Sequence, residues 1–224
     1  MKYIEKKIEN EPDSLKRTRS TPGSTYNDVN RADIRNSLLA EQGSICAYCM
    51  QRISDKLDDK GKPLTTIEHY VAQKADEGEG NELTMNYMNM LGICRGNDGS
   101  PKHLQHCGNR RGKTLLTVDP RNPICETLIK YEDTTGKIYS DNQDIDKDLN
   151  ETLGLNGENL IKNRKRIISI ARLVMQNKYK KKKNKSWSKS DLQSEINRWK
   201  SKSDKYEEYC MAAVFYLERK LARL

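Results

Sequence analysis

"SICAYCMQRI", Ser44 to Ile53, carries two cysteines with two residues between them. Such a pair closes on one metal ion as two thiolates, and zinc in a structural site needs four ligands in a tetrahedron. Working outward, the remaining ligands are Cys94 and Cys107, with His103 and His106 near enough to compete and His106 the main substitute for one cysteine. Cys125 and Cys210 stand apart and read as buried thiols. Six cysteines in a cytosolic chain point to metal ligation before disulfides. A redox role fits poorly, because no strand precedes the Cys46–Cys49 pair.

Composition bounds the rest. Of 224 residues, 33% are charged and 34% apolar, with a single phenylalanine, so a thin core is expected, one that needs a metal, a partner or long helices. The opening "MKYIEKKIEN" has no apolar run of the secretory kind, and "CMAAVFYL" is too short to span a bilayer. The expectation is a soluble, cytoplasmic protein. The net charge of +9 is uneven: residues 151–224 hold 19 Lys/Arg against 8 Asp/Glu, so all of the basic excess lies in the last third. That excess reads either as a solvated helical surface or as a face that binds phosphates by releasing counterions. Lys181 and Lys182, inside the run Lys180 to Lys183, pose the same choice between backbone contacts and a solvated turn.

The pattern predicts an α+β chain in four parts. Residues 1–29 form a polar, mostly irregular lead-in. Residues 30–125 form the cysteine module, opening on a helix from Asn30 with Ile34, Leu38 and Leu39 on one face and Gly43 at its stop. Within it "LTTI" is a strand, "KADEGEGN" a loop, "YMNMLGIC" a second strand, and the segment around Cys107 a loop leading into a short helix. Residues 126–150 hold a small hairpin and the acidic linker "DNQDIDKD". Residues 151–224 hold two long helices paired as a hairpin. The first carries a stripe of Leu160, Ile161, Ile167, Ile168, Ala171, Val174 and Met175, and the second starts near Ser188 or Ser190. Trp187 and Trp199 read as packing residues.

One further motif lies between the two halves of the cysteine set. "TTIEHYVAQ", Thr65 to Gln73, ends a β-branched run on Glu68 and His69; Asn89 precedes Cys94, and "HCGNRRGK" follows. This order resembles the HNH (ββα-metal) nuclease family, a zinc-stapled hairpin and helix around a catalytic divalent ion. The resemblance implies that His69 is the general base toward water, with an ordinary pKa of about 6.5 that suits the task. It makes Glu68 a ligand of Mg²⁺ or Mn²⁺, since hard cations take oxygen donors, and the ion would stabilise charge on the scissile phosphate. It makes Asn89 the residue that fixes the loop aiming His69. The family places its second ligand directly after the last cysteine, where this chain has Gly108; either Asn109 serves instead, or Glu68, water and substrate hold the ion. Arg110, Arg111 and Lys113 would hold the phosphate backbone.

Over residues 1–125, the opening "MKYIEKKIENEPDSL" and these motifs resemble more narrowly the PtuB family, the HNH subunits of Septu and retron-associated anti-phage systems. That likeness implies an ABC-type ATPase partner of the PtuA kind, and in retron systems a reverse transcriptase with its RNA/DNA product. The implied substrate is nucleic acid, DNA first and tRNA second. The competing reading is a catalytically degenerate zinc module that binds nucleic acid or scaffolds a complex.

Overall fold

The computed structural model describes residues 1–72, 83–180 and 187–224. Among these the fold is α+β, with eight α-helices and two antiparallel two-stranded sheets. The "KADEGEGN" loop and the lysines at 181 and 182 lie outside the described residues.

The β-branched run forms strand β1 (Thr65–His69), which pairs with β2 (Met90–Cys94) from Thr65↔Cys94 to His69↔Met90. Side chains alternate between the two faces of such a hairpin. Ile67, His69 and Met90 therefore share one face, packed toward helix α2 (Arg31–Glu41), whose Ile34 and Leu38 lie in one buried cluster with Leu15, Tyr87 and Met90. Glu68, Leu91 and Ile93 point the other way. The Asn30 side chain caps α2 by accepting from the Ala32 and Asp33 amides, and Gly43 follows its end at φ 56°. Gln42 then pins the helix to the sheet: its Nε2 donates to the Ile45 and Gly92 carbonyls, and the Gly92 amide donates back to its Oε1.

Three segments depart from expectation, each for an identifiable reason. The N-terminal lead-in is ordered: it contains α1 (Asp13–Ser20), with Leu15 buried and Arg19 held by the Glu11 carboxylate, while Met1 and Ile4 enter the main core. The acidic stretch is no linker. Asn142 caps α5 (Gln143–Lys147), a π-helical turn over Asp148–Thr152 follows, and Ile145 and Leu149 anchor both. The small hairpin before it forms as predicted, with β3 (Lys130–Tyr131) pairing β4 (Ile138–Tyr139).

At the C-terminus α6 (Glu158–Lys180) buries Leu160, Ile168, Ala171 and Met175, and also Arg164, which the apolar stripe did not include. The second long helix is two helices, α7 (Lys189–Lys200) and α8 (Cys210–Leu221). A capping box of Ser188 and Asp191 starts α7 where expected. The chain leaves the helix after Lys200 because its backbone groups find partners on the cysteine knuckle. Tyr206 and Tyr209 amides donate to the Gly43 and Met50 carbonyls. Arg52 Nη2 donates to the Tyr206 carbonyl, and the Arg52 amide to Glu208. Tyr209 turns through a left-handed conformation, φ 54°, to begin α8. The core is broader than the composition implied, because tyrosine, methionine and cysteine fill it: Tyr48, Met50, Tyr131, Cys125 and Cys210 are all buried. Among the described residues no helix is long and apolar enough to cross a membrane.

Candidate metal centre and strand-end site

The four cysteines singled out from spacing converge. Cys46 and Cys49 sit in a tight turn in which the Met50 amide donates to the Cys46 carbonyl and the Cys46 amide to Gln51. Cys94 ends β2, and Cys107 immediately precedes helix α3 (Gly108–Arg111). Their Sγ atoms all lie within 4.8 Å of one another and all four residues are buried. Three sulfur–sulfur separations are 3.8, 3.7 and 3.8 Å, for Cys46–Cys107, Cys49–Cys94 and Cys94–Cys107. A regular tetrahedron with zinc–sulfur bonds of about 2.3 Å has edges of about 3.8 Å. The donor set therefore fits a structural zinc ion. Burial pushes the Cys49 and Cys107 thiols well up, while hydrogen bonds from the neighbouring sulfurs pull the Cys94 thiol down; a bound cation would offset the repulsion among thiolates gathered here. His106 does not replace a cysteine; its Nδ1 lies 3.2 Å from the Cys107 Sγ, the distance of a partner to the sulfur. Gly96 is required beside it, because a Cβ there would meet the His106 carbonyl oxygen at 1.9 Å.

On one face of the β1–β2 hairpin, Glu68 packs against α3. Its Oε1 accepts from Arg111 Nη1 at 2.6 Å, with the Tyr48 hydroxyl 3.4 Å away. A Cβ on Gly108 would lie 2.8 Å from Glu68 Oε2 and 2.4 Å from Ile93 Cδ1. The glycine that departs from the family pattern is thus the residue whose missing side chain makes room for this carboxylate. Burial raises the Glu68 pKa, with Arg111 and Tyr48 pulling against it. Arg111 is itself buried and spends its donors internally, on Glu68, the Tyr48 hydroxyl at 2.9 Å, the Thr114 carbonyl at 2.7 Å and the Tyr70 carbonyl. It is a structural cation here rather than a phosphate contact. Arg110 is engaged likewise, donating to the Glu151 and His103 carbonyls at 2.8 and 3.0 Å. Lys113 is exposed.

Asn109 is exposed and its Nδ2 donates to the Arg95 carbonyl at 2.6 Å. Among the described residues the four cysteines are the only cluster of three or more metal-ligating side chains. A single carboxylate already neutralised by a guanidinium does not fit a second, divalent-ion site.

On the other face, His69 Nε2 lies 2.9 Å from the Thr84 carbonyl oxygen. A carbonyl only accepts, so Nε2 carries the proton and Nδ1 is the basic nitrogen. The ring sits edge-on to Tyr26, centroids 4.9 Å apart, and burial lowers its pKa. The uncharged, proton-accepting form is therefore the one present at neutral pH. Asn89 holds the backbone around this contact. Buried, it donates from Nδ2 to the Val71 and Leu83 carbonyls at 3.0 and 3.1 Å and accepts the Val71 amide at 2.8 Å. It ties the end of β1 to the residue next to Thr84.

The sequence thus located the sulfur cluster, while Glu68 and His69, read together in the sequence, face opposite sides of the hairpin, with Asn89 on the His69 side. It missed Thr84 and Tyr26, which orient His69, and Tyr48 and Gln42, which brace the hairpin. Of these only Tyr48, lying inside the Cys-x-x-Cys pair, carried a local signal. Comparison with protein-family models and with curated proteins finds no match for this chain.

Proposed function

We propose that this protein is a hydrolase of nucleic-acid phosphodiester bonds, an HNH (ββα-metal) endonuclease whose reacting base is His69. One observation carries the reading: His69, its Nε2 2.9 Å from the Thr84 carbonyl oxygen, stands at the end of a strand in a β1–β2–α3 unit closed by four converging thiols. Chain order supports the family likeness. The hairpin comes first, the short helix follows directly on Cys107, and the cysteines bind knuckle, strand and helix together. In this reading Thr84 and Asn89 hold the imidazole, and Nδ1 takes the proton of the attacking water. Zinc, held by Cys46, Cys49, Cys94 and Cys107, supplies rigidity and no chemistry. The motif likeness to PtuB supports an ABC-type ATPase partner in anti-phage defence as part of this reading, with DNA as first substrate and tRNA as second.

The test is cleavage of supercoiled plasmid and of tRNA by the purified chain, alone and with a PtuA-like ATPase, with Mg²⁺, Mn²⁺ or EDTA. Wild type cuts and His69→Ala does not. Equal cutting by both removes His69 from the mechanism.

A second reading is favoured by the Glu68–Arg111 pair. The pleat sends Glu68 and His69 to opposite faces of the hairpin, and the carboxylate meant for a catalytic ion is bonded to a buried guanidinium. A zinc module that binds nucleic acid without cutting it accounts for that pairing. It predicts nucleic-acid binding with no cleavage under any of the metal conditions.

A further inference from the structure

With Arg111 buried and the half-buried Arg110 donating to the Glu151 and His103 carbonyls, a phosphate-binding surface is better sought elsewhere. A groove of about 380 Å³ runs along the His69 face of β1. Its floor is Thr65, Thr66 and Ile67, and its walls are Arg31 and Arg35 from α2, Lys62 from the preceding turn, and Tyr26. Arg31 and Arg35 are four residues apart and project from one side of the helix. Among the described residues neither arginine nor Lys62 has a carboxylate within salt-bridge distance. The acidic residue lining the groove, Asp98, is bonded at 2.7 Å by Arg95, whose other nitrogen takes Asp58. Among the described residues Arg31 and Arg35 are in no ion pair, and Lys62 feels the Asp98 carboxylate only beyond salt-bridge distance. Ile67 and His69 lie on the same side of the strand, and Tyr26 both lines the groove and touches the His69 ring. Arg31 stands over the Tyr26 ring, 5.4 Å from its centroid, which joins the basic wall to the imidazole.

We infer that this groove is a nucleic-acid backbone site, in which Arg31, Arg35 and Lys62 hold consecutive phosphates of one strand and lead it across Tyr26 to His69. The inference rests on the nuclease reading for its direction, but its binding step is independent of catalysis. Each phosphate neutralised contributes about 0.9 to the slope of log affinity against log salt for duplex DNA, and about 0.7 for a single strand. Three contacts therefore contribute about 2.7 or about 2.1.

The experiment measures binding of labelled duplex DNA and of labelled tRNA by fluorescence anisotropy across a KCl series, in EDTA and in the His69→Ala background so that nothing is cut. The triple variant Arg31→Gln, Arg35→Gln, Lys62→Gln is set against a charge-matched control, Lys165→Gln, Lys189→Gln, Arg223→Gln, in the C-terminal region. Circular dichroism checks that both are folded. The groove variant loses about 2 to 3 units of slope on its preferred ligand, and the control keeps the parent slope. Equal loss in both triples, or none in either, overturns the site. A groove-dependent slope with no cleavage by wild type under any metal condition would instead overturn the nuclease reading and leave the site standing, so the two failures are distinguishable.

Discussion

Replacing Cys94 by serine tests the sulfur clamp where it has most to hold. Cys94 ends β2, pairs across 3.7 Å with Cys49 and across 3.8 Å with Cys107, and so joins knuckle, hairpin and α3 at one point. Zinc held by four ligands contributes about 10–16 kcal/mol to small zinc-dependent folds, comparable to or greater than the whole stability of an ordinary domain, about 5–15 kcal/mol. One thiolate of four then accounts for about 2.5–4 kcal/mol. For a chain of this size each kcal/mol moves the melting temperature by about 2–4 °C. Cys94→Ser should therefore melt about 10 °C lower than wild type, bind zinc more weakly, and unfold on adding a strong zinc chelator at concentrations wild type tolerates. Elemental analysis of the purified chain and melts with and without chelator read both quantities. Wild type that carries no metal, or that melts at the same temperature after chelation, refutes the clamp. Cys125→Ser serves as control: that thiol is buried outside the cluster, its pKa pushed up to about 11 by burial, and its loss leaves zinc content unchanged.

Three further substitutions probe the strand end. Asn89→Ala removes three buried hydrogen bonds, each of about 1 kcal/mol, so urea unfolding should show a loss of about 2–4 kcal/mol, and cleavage should fall further than stability. Gly108→Ala puts a methyl group against Ile93 and Glu68, an overpacking that costs about 1–3 kcal/mol by the same measurement. Arg111→Met leaves Glu68 unpaired in a buried place and should cost about 3–5 kcal/mol at neutral pH. Because an unpaired buried carboxylate has a pKa raised above its unfolded value, that loss should shrink as pH falls through the folded-state pKa, and adding Glu68→Gln should recover part of it. A pH-independent loss, or no recovery, would contradict the pairing.

Local chemistry explains what was legible in the sequence. Cysteines at Cys-x-x-Cys spacing, a β-branched run before Glu68, a helix opening at Asn30 and another opening near Ser188 stand where the sequence placed them, and the structure supplies the local causes of the two helix starts, an asparagine cap and a Ser–Asp capping box. The misses come from long-range partners. "SKSDKYEEY" reads as helix from its flanks, yet Gly43, Met50 and Arg52 take its backbone groups from more than 150 residues away in the chain. "DNQDIDKD" is acidic throughout, and only Ile145 in the core reveals it as a helix. Arg111 shows the same limit at the site. Beside Arg110 and Lys113 it looks like part of a basic patch, but the carboxylate that claims it lies 43 residues earlier on β1.

The imidazole of His69 gives the most direct test of the account. Burial holds its pKa below the ordinary 6.5, and in the proposed mechanism the unprotonated ring is the active form. Activity should therefore be lost as pH falls through the folded-state pKa and be flat above it. Single-turnover cleavage measured from pH 5 to 8 should show that acid limb in wild type, with His69→Ala inactive throughout. A profile unchanged by His69→Ala, or a rate that rises as the solution is acidified, would contradict the assignment.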